Sequence, residues 1–192
     1  MAKFIPKNYP NATRVKSYPR KSKPAVDQKK RAEGAASKRN GEYFEKIIEV
    51  ACRHYRQSGI ADIQKTPEPM RVIGVLDKSK GHFKAAFEKQ AQPDFKGVLN
   101  GGQAIIFEAK HTNGKSIEQK RLSDEQVENF GTHYKFGAKC FVLVSFEMKR
   151  FYKIPWETWR DMQFIFKKKS VNESDIKSYE VTYTNGIIDF LS

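Results

Sequence analysis

A regular hydrophobic pattern begins at about residue 41. Between residues 41 and 58 apolar side chains recur every three or four positions, which predicts a helix with one buried face. Gly59 is expected to end this helix. Two more helices are predicted, one after a capping box of Ser123 and Gln126 and one starting at Trp156. The apolar face of the first helix consists of Phe44, Ile47, Ile48, Ala51, Cys52 and Tyr55.

Short apolar runs between turn residues predict the strands. The run KCFVLVSF is almost continuously apolar and is typical of a central, buried strand. Asn100-Gly101-Gly102 predicts a tight turn, because asparagine and glycine tolerate positive φ, and so the strand after Asp94 should form a hairpin with the next one. The last third is expected to hold a short helix and an edge strand near residues 187–190. The strands are predicted at residues 60–65, 71–76, 104–110, 139–146 and 150–154.

The segment 77–92 is open to two interpretations. Phe83 and Phe87 are four residues apart, as in a helix that packs both rings into the core. The alternative is a projecting element whose lysines and aromatic rings contact DNA.

The hairpin carries the residues with the clearest chemistry. Side chains alternate along a strand, so Ile106, Glu108 and Lys110 share one face, and the paired strand can bring Asp94 beside them. Two converging carboxylates repel each other unless a cation lies between them, and a hard cation such as Mg²⁺ prefers oxygen ligands. The spacing Pro93-Asp94 … Glu108-Ala109-Lys110 is similar to the signature of the PD-(D/E)XK nucleases. A solvated strand face with an ordinary Glu–Lys pair is the other interpretation.

Composition and charge narrow the class. The chain of 192 residues suits one domain, and its formal net charge is +14. Residues 1–40 hold 12 Lys/Arg and 2 Asp/Glu, a net of +10, with prolines throughout. We therefore predict a flexible basic arm over residues 1–38 that attracts polyanions such as nucleic acid. A merely solubilising tail, or a leader, is the alternative.

Cysteine usage and hydropathy suggest a compartment. Cys52 and Cys140 lie far apart in apolar runs, which predicts buried free thiols in a reducing environment. No apolar run approaches a membrane span, and the first ten residues lack the apolar core of a secretory signal. We expect a cytoplasmic protein that does not bind membranes.

Several motifs in order resemble the RecU family, the Holliday junction resolvases of Gram-positive bacteria and their phages. The resemblance runs from about Gly34 to the C-terminus. Arg39-Asn40-Gly41 followed by Phe44-Glu45 is similar to the family's RGM…LE, and GIADIQKTPEP resembles IAxIxKxPTP. DFKGV leads to IIFEAKHT, which is similar to IDFEAKET, and KSVNESDI resembles KSI…DEL. The family has Thr-Thr where this chain has Gln92-Pro93, which indicates a divergent member, with a phage origin as one explanation.

The resemblance implies a fold and an activity. The fold would be α/β, a restriction-endonuclease-like mixed central sheet flanked by helices, with a nuclease domain at 39–192 and a protruding stalk at about 70–92. The protein would be a homodimer in a bacterial cytoplasm. It would resolve four-way (Holliday) DNA junctions by paired nicks that depend on Mg²⁺, for which Mn²⁺ can substitute. Two alternatives stay open: another PD-(D/E)XK nuclease acting on linear duplex, and a non-catalytic junction-binding accessory protein.

The resemblance also implies site residues. Glu45, Asp94, Glu108 and Lys110 would be catalytic, and Asp94, Glu108 and Gln126 would hold the metal, with Gln126 alternatively only closing its capping box. The residues that contact DNA would be Arg39, Lys65, Arg71, Lys78, Lys80, Phe83 and Lys84.

Overall fold

The computed structural model describes residues 25–87 and 92–192. Residues 1–24 of the predicted arm and residues 88–91 of the predicted stalk therefore lie outside the described residues. The helices are α1 (Ala25–Gln57), α2 (Asp124–Lys135), α3 (Trp156–Arg160) and α4 (Met162–Phe166). The strands are β1 (Ala61–Lys65), β2 (Met70–Asp77), β3 (His82–Phe87), β4 (Phe95–Leu99), β5 (Ala104–Thr112), β6 (Ser116–Glu118), β7 (Lys139–Phe146), β8 (Arg150–Pro155), β9 (Ser170–Asn172), β10 (Glu180–Thr184) and β11 (Ile187–Asp189).

Helix α1 has the predicted apolar face but not the predicted start. It begins at Ala25 rather than near Gly41, so residues 25–38 of the predicted arm are helical. This first part is rich in Ala and Lys, which are strong helix formers, and residues 30–39 are almost all exposed. An exposed helix needs no apolar period, and so the hydrophobic pattern could not reveal it. The predicted apolar face, from Phe44 to Tyr55, is buried.

A seven-stranded mixed sheet forms the centre of the molecule, in the order β1-β4-β5-β7-β8-β10-β11. Strands β5 and β7 run parallel, and their other pairings in the sheet are antiparallel. Helix α1 covers one face, and α2, α3 and α4 pack on the other. The α/β class with a mixed sheet flanked by helices is therefore confirmed, and β7 is the buried central strand that its apolar run predicted.

Aromatic packing fixes the sheet against α1. Phe95, Phe107 and Phe141 stack across three neighbouring strands, with ring centroids 4.9 Å and then 4.6 Å apart. Phe190 closes the row from the C-terminal segment at 5.2 Å from Phe107. Gly97 on β4 lies so close to β1 that a Cβ there would come within 2.1 Å of the Asp62 carbonyl oxygen. These contacts hold β1, β4 and β5 in fixed register.

The segment between β1 and β4 is a β-hairpin. Strands β2 and β3 pair only with each other, outside the central sheet. Their side chains are mostly exposed, so the helix considered for residues 77–92 does not form where the structure describes them. The turn predicted at Asn100-Gly101-Gly102 is present, with φ of 93° and 90° at the two glycines.

The C-terminal third departs from the predicted pattern in two places. The helix expected from Trp156 is divided at Asp161 into α3 and α4. An edge strand is present as predicted at β11, but β10 beside it was not predicted. Cys52 and Cys140 are buried free thiols, as expected. Within the described ranges, none of the helices is long and apolar enough to cross a membrane.

Candidate active site

A row of polar side chains crosses three neighbouring strands on one face of the sheet. Lys65 is paired with Phe95, and Phe95 is paired with Phe107. Because these strands are antiparallel, Thr66 (one residue after Lys65) lies beside Asp94 (one residue before Phe95), and Asp94 lies beside Glu108 (one residue after Phe107). The Thr66 N–H donates to the Asp94 carbonyl oxygen over 2.8 Å, which continues this register. Directly paired residues point to the same face, about 5 Å apart at Cβ. The hairpin predicted from sequence therefore places Asp94 beside Glu108.

Glu108 is fully buried at the centre of this row, with a relative exposure of 0%. Its Oε2 accepts hydrogen bonds from Lys110 Nζ at 2.8 Å and from Gln126 Nε2 at 2.7 Å. Burial, and then the neighbouring Asp94 carboxylate, raise the pKa of Glu108 to about 8. The Lys110 ammonium opposes this shift only in part, so the ionised form of Glu108 would be stabilised further by a second cation beside Asp94.

Asp94 is held from both sides by the backbone. The Ala109 N–H donates to Asp94 Oδ2 over 2.9 Å, and the Thr66 N–H holds its carbonyl group. The bond from Ala109 orients the Asp94 carboxylate next to Glu108, and the bond from Thr66 fixes the Asp94 backbone.

Gln126 closes the predicted capping box and also contacts a site acid, while its predicted role as a metal ligand stays a prediction. It is the third residue of α2, its N–H donates to Ser123 Oγ, and its Oε1 accepts from the Ser123 N–H at 3.1 Å. The same side chain donates its Nε2 to Glu108. With Oε1 committed to Ser123, the side chain presents donors to the row, so metal ligation by its oxygen would require the capping box to open.

Glu45 does not join the row, because its partner Lys65 is paired with Phe95 on the α1 face of the sheet and the row lies on the other face. It projects from α1 and forms an ion pair with Lys65, with 2.7 Å between Oε2 and Nζ. The hydrogen bond with Glu45 raises the pKa of Lys65, and the negative charges of Glu49 and Asp94 contribute. No three His, Cys, Asp or Glu side chains in the part of the chain that the structure describes come together as a metal-binding group. Asp94 and Glu108 are thus the two converging acids.

The donor set suits a hard divalent cation. Glu108 Oε1 is buried and has no hydrogen-bond partner among the described residues, so its lone pairs are available. Mg²⁺ is commonly bound through one or two carboxylates while it keeps several waters and contacts substrate phosphate. Asp94 and Glu108 are two carboxylates of the kind that such a site requires.

The residues predicted to contact DNA lie in three places. Arg39 is exposed on the N-terminal part of α1, and Lys65 is half exposed beside Glu45. Lys78 and Lys80 are exposed in the turn between β2 and β3, where Asp77 Oδ1 accepts from the Ser79 hydroxyl and from the N–H groups of Ser79 and Lys80. The others lie on the hairpin strands: Arg71, Phe83 and Lys84.

The hairpin has two chemically different faces. On β3, Phe83 and Phe87 point one way and Lys84 the other, and each β2 partner shares the face of its β3 residue. One face is wholly apolar, with side-chain exposures from 51% at Phe83 to 70% at Phe87. The structure therefore separates Phe83 from Arg71 and Lys84, with which it was grouped. The apolar face consists of Met70, Val72, Val75, Phe83, Ala85 and Phe87, and the polar face of Arg71, Gly74, Asp77, His82, Lys84 and Ala86. Ile73 and Leu76 lie at the two register irregularities of β2, are 49% and 71% exposed, and are assigned to neither face by this pairing.

Sequence reasoning missed Thr66 as a member of the site. In the sequence it belongs to the motif GIADIQKTPEP, one residue beyond the strand predicted at 60–65. The pairing of β1 with β4 places it beside Asp94, and this pairing is not visible in a local pattern because the whole hairpin of β2 and β3 lies between them.

The fold and this site define the class: an α/β protein with a mixed sheet, in which a β-hairpin gathers two acids and a lysine. A family model described as "RecU: Recombination protein U" matches residues 39–192. The chain belongs to the RecU family.

Curated relatives carry one name. Proteins called "Holliday junction resolvase RecU" from Streptococcus gordonii and Bacillus pumilus are 33% and 31% identical to this chain, over 120 and 152 residues. The match with the Streptococcus gordonii protein covers 60% of each chain. The match with the Bacillus pumilus protein covers 77% of this chain and 72% of the relative. A Staphylococcus aureus (strain JH9) relative with the same name is 31% identical over 92% of this chain and 88% of its own.

Among solved structures, a Holliday junction resolvase from an archaeal hyperthermophile, Archaeoglobus fulgidus Hjc, superposes with a TM-score of 0.44. The two sequences are 17% identical, and the match covers 72% of this chain and 93% of the other.

Proposed function

We propose that this protein is an endonuclease that cuts four-way DNA junctions and depends on a divalent cation, Mg²⁺ in the first place, with Mn²⁺ as a substitute. The observation that carries the proposal is the convergence of Asp94, Glu108 and Lys110 in a chain of the RecU family, whose curated relatives are named Holliday junction resolvases.

In this proposal the acids bind the cation and the lysine assists the reaction. Asp94 and Glu108 supply the carboxylate oxygens, and the Ala109 carbonyl is a further candidate ligand. When bound, the ion would polarise the scissile phosphodiester and lower the pKa of a water molecule. Lys110, whose ammonium lies 2.8 Å from Glu108, orients the attacking water and stabilises negative charge that develops on the phosphate. Gln126 holds Glu108 in place, and Glu45 with Lys65 borders the phosphate path.

Substrate selection is proposed to depend on shape and phosphate position rather than on base identity. The cations of the polar hairpin face and its turn, together with Arg39 and Lys65, would bind backbone phosphates. Such contacts position a nucleic acid without reading its sequence. The strongly positive net charge of +14 supports a polyanionic partner.

We also propose a homodimer, because a four-way junction has two-fold symmetry and two related sites can make paired nicks. The apolar face of the hairpin supports this arrangement, since an exposed apolar surface of this kind usually marks an interface. A two-fold contact would bring the same face of both copies together and leave the cations facing outwards. A cytoplasmic location in a bacterial cell stays a prediction.

The test is incubation of the purified protein with a synthetic mobile four-way junction and Mg²⁺, with mapping of the nicks on all four strands. We expect paired, symmetric nicks, and much weaker cutting of a linear duplex of the same sequence. Asp94→Asn should abolish cutting and leave junction binding largely intact. Glu68→Gln, which changes an exposed acid near the site, should cut like the wild type.

Each alternative has its own outcome in this experiment. Equal cutting of the linear duplex would indicate a nuclease that does not select branched DNA. Tight junction binding without cutting in either Mg²⁺ or Mn²⁺ would indicate a non-catalytic accessory protein.

A further inference from the structure

The row that crosses β1, β4 and β5 contains a third polar side chain, and its role follows from the same geometry. Thr66 is the β1 neighbour of Asp94, as Glu108 is the β5 neighbour. The three side chains point to the same face because directly paired positions in a sheet do so. The Thr66 side chain therefore lies beside Asp94, on the side opposite Glu108.

Thr66 is buried and lacks a hydrogen-bond partner. Its relative exposure is 8%, and Oγ1 contacts no donor or acceptor among the described residues. Leaving a buried hydroxyl unsatisfied costs about 1–3 kcal/mol, so such groups normally find partners. Thr158, also 8% exposed, behaves in the ordinary way, since its hydroxyl is 3.1 Å from the Tyr179 hydroxyl.

The unpartnered atoms of this row lie on both sides of one carboxylate. Glu108 Oε1 is also buried and without a partner in the described part of the chain. The remaining unpartnered buried groups, on Asn129, Trp156 and Trp159, belong to α2 and α3 and not to this row. The Glu108 carboxyl group contacts that of Asp94, which supplies only another acid, and Thr66 Oγ1 meets no partner among the described residues. A polar ligand that accepts and donates hydrogen bonds would complete the row.

We infer that Thr66 is a positioning residue of the cation site: its hydroxyl holds a water molecule of the hydrated divalent ion bound by Asp94 and Glu108. This inference rests on the proposed function. A hydroxyl group suits the role because it can donate to a carboxylate and accept from a water at the same time. Mg²⁺ keeps most of its water ligands, so groups that hold those waters contribute to its affinity.

The test measures cation binding directly, without cleavage. Mn²⁺ binding is followed by electron paramagnetic resonance and Mg²⁺ binding by calorimetry, on the full-length protein without DNA. Thr66→Val removes the hydroxyl at nearly constant shape and should weaken both ions by about tenfold. Thr66→Ser keeps the hydroxyl and should bind within about twofold of the wild type. Thr158→Val is the matched control and should leave cation affinity unchanged.

Thermal unfolding with and without Mg²⁺ separates this role from a purely structural one. Thr66→Val removes an unsatisfied group, so the metal-free protein should unfold at the same or a higher temperature than the wild type. The increase in unfolding temperature that Mg²⁺ produces should become smaller. If Thr66→Val instead lost stability, Thr66→Ala and Thr66→Ser would show whether the hydroxyl is responsible for the affinity.

The outcomes distinguish this inference from the proposed function. A wild-type protein that binds neither ion would remove the basis of both. A wild-type protein that binds the ions, with Thr66→Val and Thr66→Ala binding equally well, would overturn only the role of Thr66.

Discussion

Gln126 Nε2 lies 2.7 Å from Glu108 Oε2, and the same glutamine closes the capping box of α2. One side chain thus starts a helix and positions a buried acid. We predict that Gln126→Ala lowers the cleavage rate by about 10–100-fold, because loss of a hydrogen bond that supports a metal-binding carboxylate typically reduces activity by this factor. It should also cost about 1 kcal/mol of stability through the lost cap.

Ser123→Ala is the control that separates these two effects. It removes the Ser123 hydroxyl from the capping box and leaves the bond between Gln126 and Glu108 in place. We expect a similar loss of stability in urea unfolding with little change in the cleavage rate. Equal cleavage by Gln126→Ala and Ser123→Ala would contradict the positioning role.

Gly97→Ala should destabilise the protein by about 3 kcal/mol or more. The added Cβ would lie 2.1 Å from the Asp62 carbonyl oxygen and 2.6 Å from Ile63 Cα, both of which are backbone atoms that cannot rotate away. Because Thr66 directly follows β1 and Asp94 directly precedes β4, cation affinity should fall as well.

Gly131→Ala in α2 is the matched comparison. A Cβ there meets nothing within 4 Å, and alanine favours a helix over glycine by up to about 1 kcal/mol. Denaturant unfolding should therefore show opposite signs for the two substitutions. A neutral Gly97→Ala would mean that β1 and β4 are free to separate.

The sequence predicted those parts of the fold and site that depend on local chemistry. A few neighbouring residues were enough to predict the capping box at Ser123, the turn at Gly101 and the buried strand β7. The alternation of side chains along a strand was enough to place Glu108 and Lys110 on one face. The position of Asp94 beside Glu108 followed from the hairpin, because the turn fixes its register.

Features that depend on pairing between distant strands, and helical segments that are exposed to solvent, could not be predicted from local patterns. The start of α1 has no apolar period, so helix propensity alone could have indicated it. Thr66 joins the row through a pairing across an inserted hairpin, and the two faces of that hairpin depend on irregular register between Val72 and Gly74. A bulge of this kind shifts the alternation on one strand and leaves no clear sequence signal.

The two cysteine thiols should resist alkylation in the native state. Burial raises the pKa of Cys52 to about 12 and that of Cys140 to about 11. At pH 8 about one Cys52 in ten thousand would be a thiolate, against about one in ten for a thiol with the ordinary value of 9.0.

Iodoacetamide labelling followed by mass spectrometry checks this expectation. Labelling should be slow for the folded protein at pH 8 and rapid after unfolding in urea. Rapid modification of either thiol in the folded protein would contradict its burial.

The two faces of the hairpin should have separable roles. Val75 lies on the apolar face and Lys84 on the polar face, at neighbouring positions of the same ribbon. Val75→Glu would bring two carboxylates together in a two-fold contact, so we expect dimer affinity to fall by about 100-fold or more, measured by sedimentation equilibrium.

Lys84→Glu should leave the dimer intact and weaken junction binding. Loss of one phosphate contact should reduce the slope of log affinity against log salt concentration by about one. If Val75→Glu instead left the mass of the assembly unchanged and weakened DNA binding, the apolar face would be a DNA contact.

The way in which the hairpin leaves the sheet connects it to the row of polar side chains. Only Pro67-Glu68-Pro69 separates Thr66 from the start of β2, and the two prolines restrict the backbone. A connection this short and rigid cannot change its conformation as freely as a long loop when the hairpin moves relative to the sheet. Three residues, two of them prolines, therefore link the base of the hairpin to the side chain next to Asp94, and a displacement of the hairpin would be transmitted to Thr66 through the backbone.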